Sequence, residues 1–108
     1  MNANKGLIIA FTDSKAFERW LKIHHAKSDG IWLKFYKKAS GKKTVVYKEA
    51  LDVALSYGWI DSQLRSLDAE SYVQRFTPRR TKSMWSQVNR EHVARLIAEG
   101  RMHAAGLA

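Results

Sequence analysis

The apolar residues of this chain switch repeatedly between two spacings, and that switching constrains the fold more than any other feature. Phe17, Trp20, Leu21 and His24 fall at i, i+3, i+4 and i+7, one face of a helix that runs to about His25. Ile31, Leu33 and Phe35 then alternate with Trp32, Lys34 and Tyr36 in the two-residue period of a strand. After Tyr47, residues Ala50, Leu51, Ala54, Leu55 and Gly58 return to helical spacing, with Gly58 placed to end the helix in a left-handed conformation. Residues 59–65 and 72–77 are short runs with aromatic or apolar side chains at alternate positions, and the segment between them suits a hairpin loop. Trp85, Val88, His92, Val93, Leu96 and Ile97 restore the helical period before Gly100. At the start, residues 7–11 read as a short buried strand or an extended arm, followed by N-cap oxygens in Thr12, Asp13 and Ser14. The expected fold is α+β: a small, mostly antiparallel sheet of three or four strands packed with three helices, the third lying on the sheet.

Residues 1–108 are expected to form a single domain, since a chain of this length buries roughly two thirds of its unfolded surface behind one core. Apolar residues make up 45% of the chain and aromatics 11%, enough to offset the entropy of ordering it. Cysteine is absent, which excludes disulfides, thiolate nucleophiles and Cys-ligated zinc. The apolar run at residues 7–11 is far shorter than the ~18 residues of a membrane span and has no small-residue cleavage pattern, so the expected location is cytoplasmic. Nineteen Lys and Arg against ten Asp and Glu give a net charge of +9, a field that attracts polyanions.

That charge is unevenly spread. No acid lies between Glu70 and Glu91, and the interval holds Arg75, Arg79, Arg80, Lys82 and Arg90. Guanidinium groups fork onto phosphate or carboxylate, and Ser83, Trp85, Ser86 and Asn89, with the first N–H groups of the third helix, complete a candidate anion-binding surface. The competing reading pairs Arg79 and Arg80 with Asp61 or Asp68 as a clasp on the sheet. A second basic stretch, Tyr36, Lys37 and Lys38 with Lys34, Lys42, Lys43 and Lys48, has Tyr36 and Trp32 on its strand face and interleaves cations with aromatics as suits single-stranded nucleic acid. Its commoner explanation is an edge strand kept from aggregating by lysine.

Catalysis has one weak candidate, Asp61, a general base if its neighbours leave it partly desolvated, with Arg79 or Arg80 as electrostatic support. No nucleophile elbow is present, and Gly41-Lys42-Lys43-Thr44 fails as a phosphate loop because Tyr36 stands where the upstream Gly belongs. Adjacent His24 and His25 point about 100° apart on a helix, and His92 and His103 lack ligand spacing. No metal and no cofactor is expected. The tryptophans at 20, 32, 59 and 85 are assigned to core packing by default.

Four segments together carry a family resemblance: Tyr57-Gly58-Trp59-Ile60-Asp61, Gln74-Arg75-Phe76-Thr77-Pro78-Arg79-Arg80, Lys82-Ser83-Met84-Trp85-Ser86-Gln87-Val88-Asn89-Arg90 and Gly100-Arg101-Met102. In this order they resemble the bacterial YdeI/OmpD-associated family. The resemblance implies a cytoplasmic bacterial α+β domain, a link to protection against bacteriocins or antimicrobial peptides, and no established reaction. It also implies a further C-terminal helical extension that this chain lacks, which would leave apolar surface for self-association as a homo-oligomer. Val46 stands where such sequences commonly carry a capping Ser, and Met84 where they carry a polar residue. The functional expectation is a domain that binds an anionic partner, nucleic acid or a phosphorylated or carboxylated ligand. The alternatives are an enzyme with a small pocket around Asp61 and the Arg79/Arg80 loop, or a protein-interaction or self-associating module.

Overall fold

Asp13 opens the first helix. In the computed structural model, which describes residues 7–79, 87–103 and 106, its carboxylate accepts the N–H of Ala16 at 2.9 Å, and helix α1 runs over Ser14–His24. Strand β1 (Ile8–Ala10) precedes it and β2 (Ile31–Tyr36) follows it. A single 3-10 turn at Lys38–Ser40 leads to α2 (Tyr47–Ser56). Then come β3 (Trp59–Ser66), β4 (Ser71–Pro78) and α3 (Gln87–Ala98). The fold is α+β, as the spacing predicts.

The sheet order is β1-β2-β4-β3. The β3–β4 hairpin and the β2–β4 pair are antiparallel, whereas β1 lies parallel to β2 because α1 carries the chain back between them. The sheet is therefore mixed. β1 sits on its edge with Ile8 44% exposed while Ile9 and Phe11 pack against the core, so the buried strand or extended arm expected at residues 7–11 is a half-open edge strand.

One face of the sheet is the core. Ile31, Leu33 and Phe35 of β2 are fully buried there, with Phe76 of β4 and Trp59 of β3. Phe17 meets Phe76 edge-on at 5.8 Å between ring centroids, and Trp20 meets Trp59 the same way at 5.8 Å. Each such aromatic contributes roughly 2–3 kcal/mol of burial, so these rings help hold α1 to the sheet. Two glycines permit the turns that bring the layers together. Gly58 takes φ +77° and donates its N–H to Leu55 O, which ends α2 as its position predicts. Gly30, at φ +137°, enters β2 so close to β4 that a β-carbon would sit 2.7 Å from Thr77 Cγ2 and 2.9 Å from Phe76 O.

The third helix departs from expectation. Among the described residues it packs chiefly on α2: Val93 and Leu96 are buried, while Val88 and Ile97, placed inward by the sequence pattern, are 60% and 53% exposed. Polar chemistry fixes this pose. Asp52 of α2, only 8% exposed, accepts from Arg95 Nη2 at 2.6 Å, and Arg101 Nη1 lies 3.8 Å from its second oxygen. Among the described residues no helix is long and apolar enough to cross a membrane.

Candidate functional site

Strand register divides the sheet's side chains between two faces. Trp32 stands opposite Arg75, Lys34 opposite Val73 and Tyr36 opposite Ser71, and Arg65 of β3 is also paired with Val73. Because cross-strand partners share a face, Trp32, Lys34, Tyr36, Arg65 and Arg75 all project from the side opposite the helices. They stack as cation–aromatic pairs. The Arg65 and Arg75 guanidinium carbons lie 5.0 and 5.7 Å from the Trp32 ring centroid. The Lys34 and Lys42 ammonium groups lie 4.7 and 5.0 Å from that of Tyr36.

A bulge in β3 makes this cluster possible. Asp61 is paired with Phe76 but Leu64 with Gln74, so β3 carries one more residue than β4 across that step. Strict alternation from the buried Trp59 puts Arg65 on the helical face. The extra residue sends it to the open face instead and turns Leu64 toward Tyr47, Tyr72 and Gln74, with which it lines a hollow of about 400 Å³. Ile8, Trp32, Arg65, Ser66, Leu67 and Val73 line a smaller recess of about 250 Å³ on the open face.

The two ends of that face differ in charge. Near Tyr36, Lys42 is paired at 3.0 Å with Glu70, an exposed contact whose carboxylate holds the Lys42 ammonium above its ordinary range. Asp68, in the same hairpin loop, accepts from Ser71 Oγ at 2.8 Å and from the Glu70 N–H at 2.9 Å, and these bonds hold its carboxyl below the usual range. The Trp32 end has two guanidinium groups on one ring and continues along β4 to Pro78 and Arg79, whose backbone N–H donates to Gly58 O.

The residues that the sequence singles out are thus divided. Arg75 belongs to the open-face cluster, and Arg79 is half-buried at the end of β4. Asn89 and Arg90 lie in the first turn of α3, half-buried and exposed. Arg80, Lys82, Ser83, Trp85 and Ser86 lie outside the described residues. Tyr36 is on the open face, but Lys37 and Lys38 are not: they follow the end of β2, exposed, with the Lys37 N–H donating to Glu70 O. Trp32 corrects the default assignment of the tryptophans to the core, because its position in the alternation of β2 turns it away from Leu33 and Phe35. Trp20 and Trp59 do pack inward. Arg65 escapes the sequence pattern, since no residue type marks the bulge that exposes it.

Asp61 has a structural partner. It accepts the Tyr47 hydroxyl at 2.5 Å, tying the first turn of α2 to β3. Burial first, and then this hydrogen bond, raise the Tyr47 phenol above its ordinary range, so it stays a donor at neutral pH. Among the described residues no group of His, Asp and Glu is placed to hold a metal ion.

Comparison with known proteins returns a family model, described as "Domain of unknown function (DUF8412)", that matches residues 9–108. No curated protein and no solved structure matches the chain.

Proposed function

The chain belongs to the DUF8412 family, and we propose that it binds an anionic partner through the open face of its sheet, centred on Trp32, Arg65 and Arg75 and continuing toward Arg79. One observation carries this reading: two guanidinium groups from different strands converge on one ring on the face without helices. A guanidinium resting on an aromatic plane is oriented before a ligand arrives, and its planar fork matches phosphate or carboxylate. The net charge of +9 raises the encounter rate with such partners. Arg80, Lys82, Ser83, Trp85 and Ser86, outside the described residues, are proposed as further contacts by their place in the sequence alone, whereas Asn89 and Arg90 stand on α3, which packs on α2, and are not part of the open face; the proposed setting is cytoplasmic. The YdeI/OmpD-associated resemblance is retained as a proposal on the motifs that carry it, and a part in peptide protection rests on that resemblance alone.

The experiment is a binding titration against inorganic polyphosphate over a range of salt concentrations. Affinity should fall log-linearly with salt, and Arg65→Ala with Arg75→Ala should lower the slope by about one to two, roughly one for each phosphate left without its guanidinium. An unchanged slope in the double variant, with its fold intact by circular dichroism, removes the open face as the site.

A further inference from the structure

We infer that the anionic partner is single-stranded nucleic acid, held by stacking of its bases on Trp32 and Tyr36. This rests on the open face being the anion-binding surface and adds the chemical class of the ligand. Charge alone would serve any polyanion, whereas planar rings on the same strand face serve one that carries planar groups of its own.

Two features of the face point that way. First, the recess of about 250 Å³ beside Trp32 is floored by Val73 and bounded by Ile8, Leu67 and Arg65. It is smaller than the roughly 300–1,000 Å³ of drug-sized pockets, and its apolar floor with one aromatic and one guanidinium wall suits a single flat heterocycle. Second, Trp32 and Tyr36 stand four residues apart on β2, so their attachment points are ~13 Å apart at ~3.3 Å per residue. A single strand, whose bases can be splayed apart, can span that distance with one base on each ring. Lys34 lies between the two rings, and Arg65 and Arg75 flank the first, where the backbone phosphates of a strand crossing both would run.

A duplex does not fit this arrangement, because its base planes are stacked on one another and closed to side-chain rings. Its phosphates could still meet the cations. The inference therefore separates single strands from duplexes and, more sharply, strands with bases from strands without them.

The test uses the full chain and fluorescence anisotropy with labelled eight-nucleotide strands: DNA, RNA of the same sequence, an abasic sugar–phosphate strand of equal length, and a DNA duplex, with polyphosphate as a competitor. The base-bearing single strands should bind most tightly, and the RNA and DNA arms identify which sugar is preferred. Trp32→Ala should weaken them by roughly 5- to 150-fold and the abasic strand by clearly less, since a base stack is lost while the two guanidinium groups lose their resting ring but keep their charge. Tyr36→Ala should act in the same direction. Trp32→Phe, which keeps a ring, should recover much of the loss and guards against misreading an unfolded variant. Equal affinity for abasic and base-bearing strands, or equal losses for both in Trp32→Ala, overturns stacking while leaving anion binding at this face intact. Failure of every strand and of polyphosphate to bind at low salt overturns both.

Discussion

Helix α2 begins without a side-chain cap. Val46 occupies the N-cap with φ −81° and ψ 133°, the extended geometry that a capping residue requires, and its carbonyl already accepts the Ala50 N–H at 2.9 Å. Glu49 stands three residues on, in the first turn. Val46→Thr would complete the Thr-x-x-Glu pattern in which the hydroxyl accepts an N–H of the first turn and the Glu carboxylate reaches back to the cap. A cap of this kind stabilises by about 1 kcal/mol. The opposing term is small: Val46 is 56% exposed and Thr keeps one of its two methyl groups, so at ~0.8 kcal/mol per fully buried carbon the missing methyl costs about 0.3 kcal/mol. The net gain of about 0.7 kcal/mol should raise Tm by about 3–5 °C in a domain of this size. Thermal melts followed at 222 nm by circular dichroism, a wavelength that reads helix, would measure it, with Val46→Ala as the control that removes the side chain without adding an acceptor. If Val46→Thr melts no higher than Val46→Ala, α2 does not start where these dihedral angles put it.

Two other perturbations follow from the same structure. Asp52→Ala should destabilise by about 1–2 kcal/mol in urea titration, less than the 3–5 kcal/mol of a fully buried pair because the Arg95 side chain is 37% exposed and keeps water. A loss under about 0.3 kcal/mol would mean that Asp52 does not hold α3 to α2. The raised Tyr47 phenol gives a pH dependence whose sign is fixed: its contribution is complete below the unfolded phenol value near pH ~10 and is lost as pH climbs from there through the folded value. Tm should therefore fall more steeply above roughly pH 10 in the native protein than in Tyr47→Phe. A residual slope from Tyr57, whose phenol is also raised by burial, should persist in both.

Local periodicity made most of the scaffold legible. The alternation of Ile31, Leu33 and Phe35, the Asp13 cap, the Gly58 stop and the loop between β3 and β4 depend on neighbours within a few residues, and each lies where the spacing puts it. What spacing does not encode is which elements meet. The Val88 and Ile97 positions share a helical period with Leu96, yet the Asp52–Arg95 pair rotates α3 so that only part of that stripe faces α2. The candidate site was half visible for the same reason. Arg75 and Tyr36 stand out by charge and alternation, and Trp32 shares the strand face of Tyr36 in the sequence while also carrying the apolar signature of a core residue, a choice decided only when Arg65 and Arg75 are brought over it from other strands. Arg65 is hidden by the bulge, a long-range register effect with no distinctive residue at Ser62 or Gln63.

The extra residue between Asp61 and Leu64 also divides β3 into two halves whose facing is set separately. Excising Ser62 or Gln63 would take out the bulge yet leave Leu64 opposite Gln74 and Arg65 opposite Val73, whereas keeping every residue and pairing β3 without the bulge would carry Arg65 away from Trp32 toward the Tyr47 hollow. A lineage carrying that deletion would keep both the scaffold and the positive charge on its outer surface, so ligand preference in such domains would diverge through a slip of strand register, without any substitution among the buried residues, and not through loss of the extra residue.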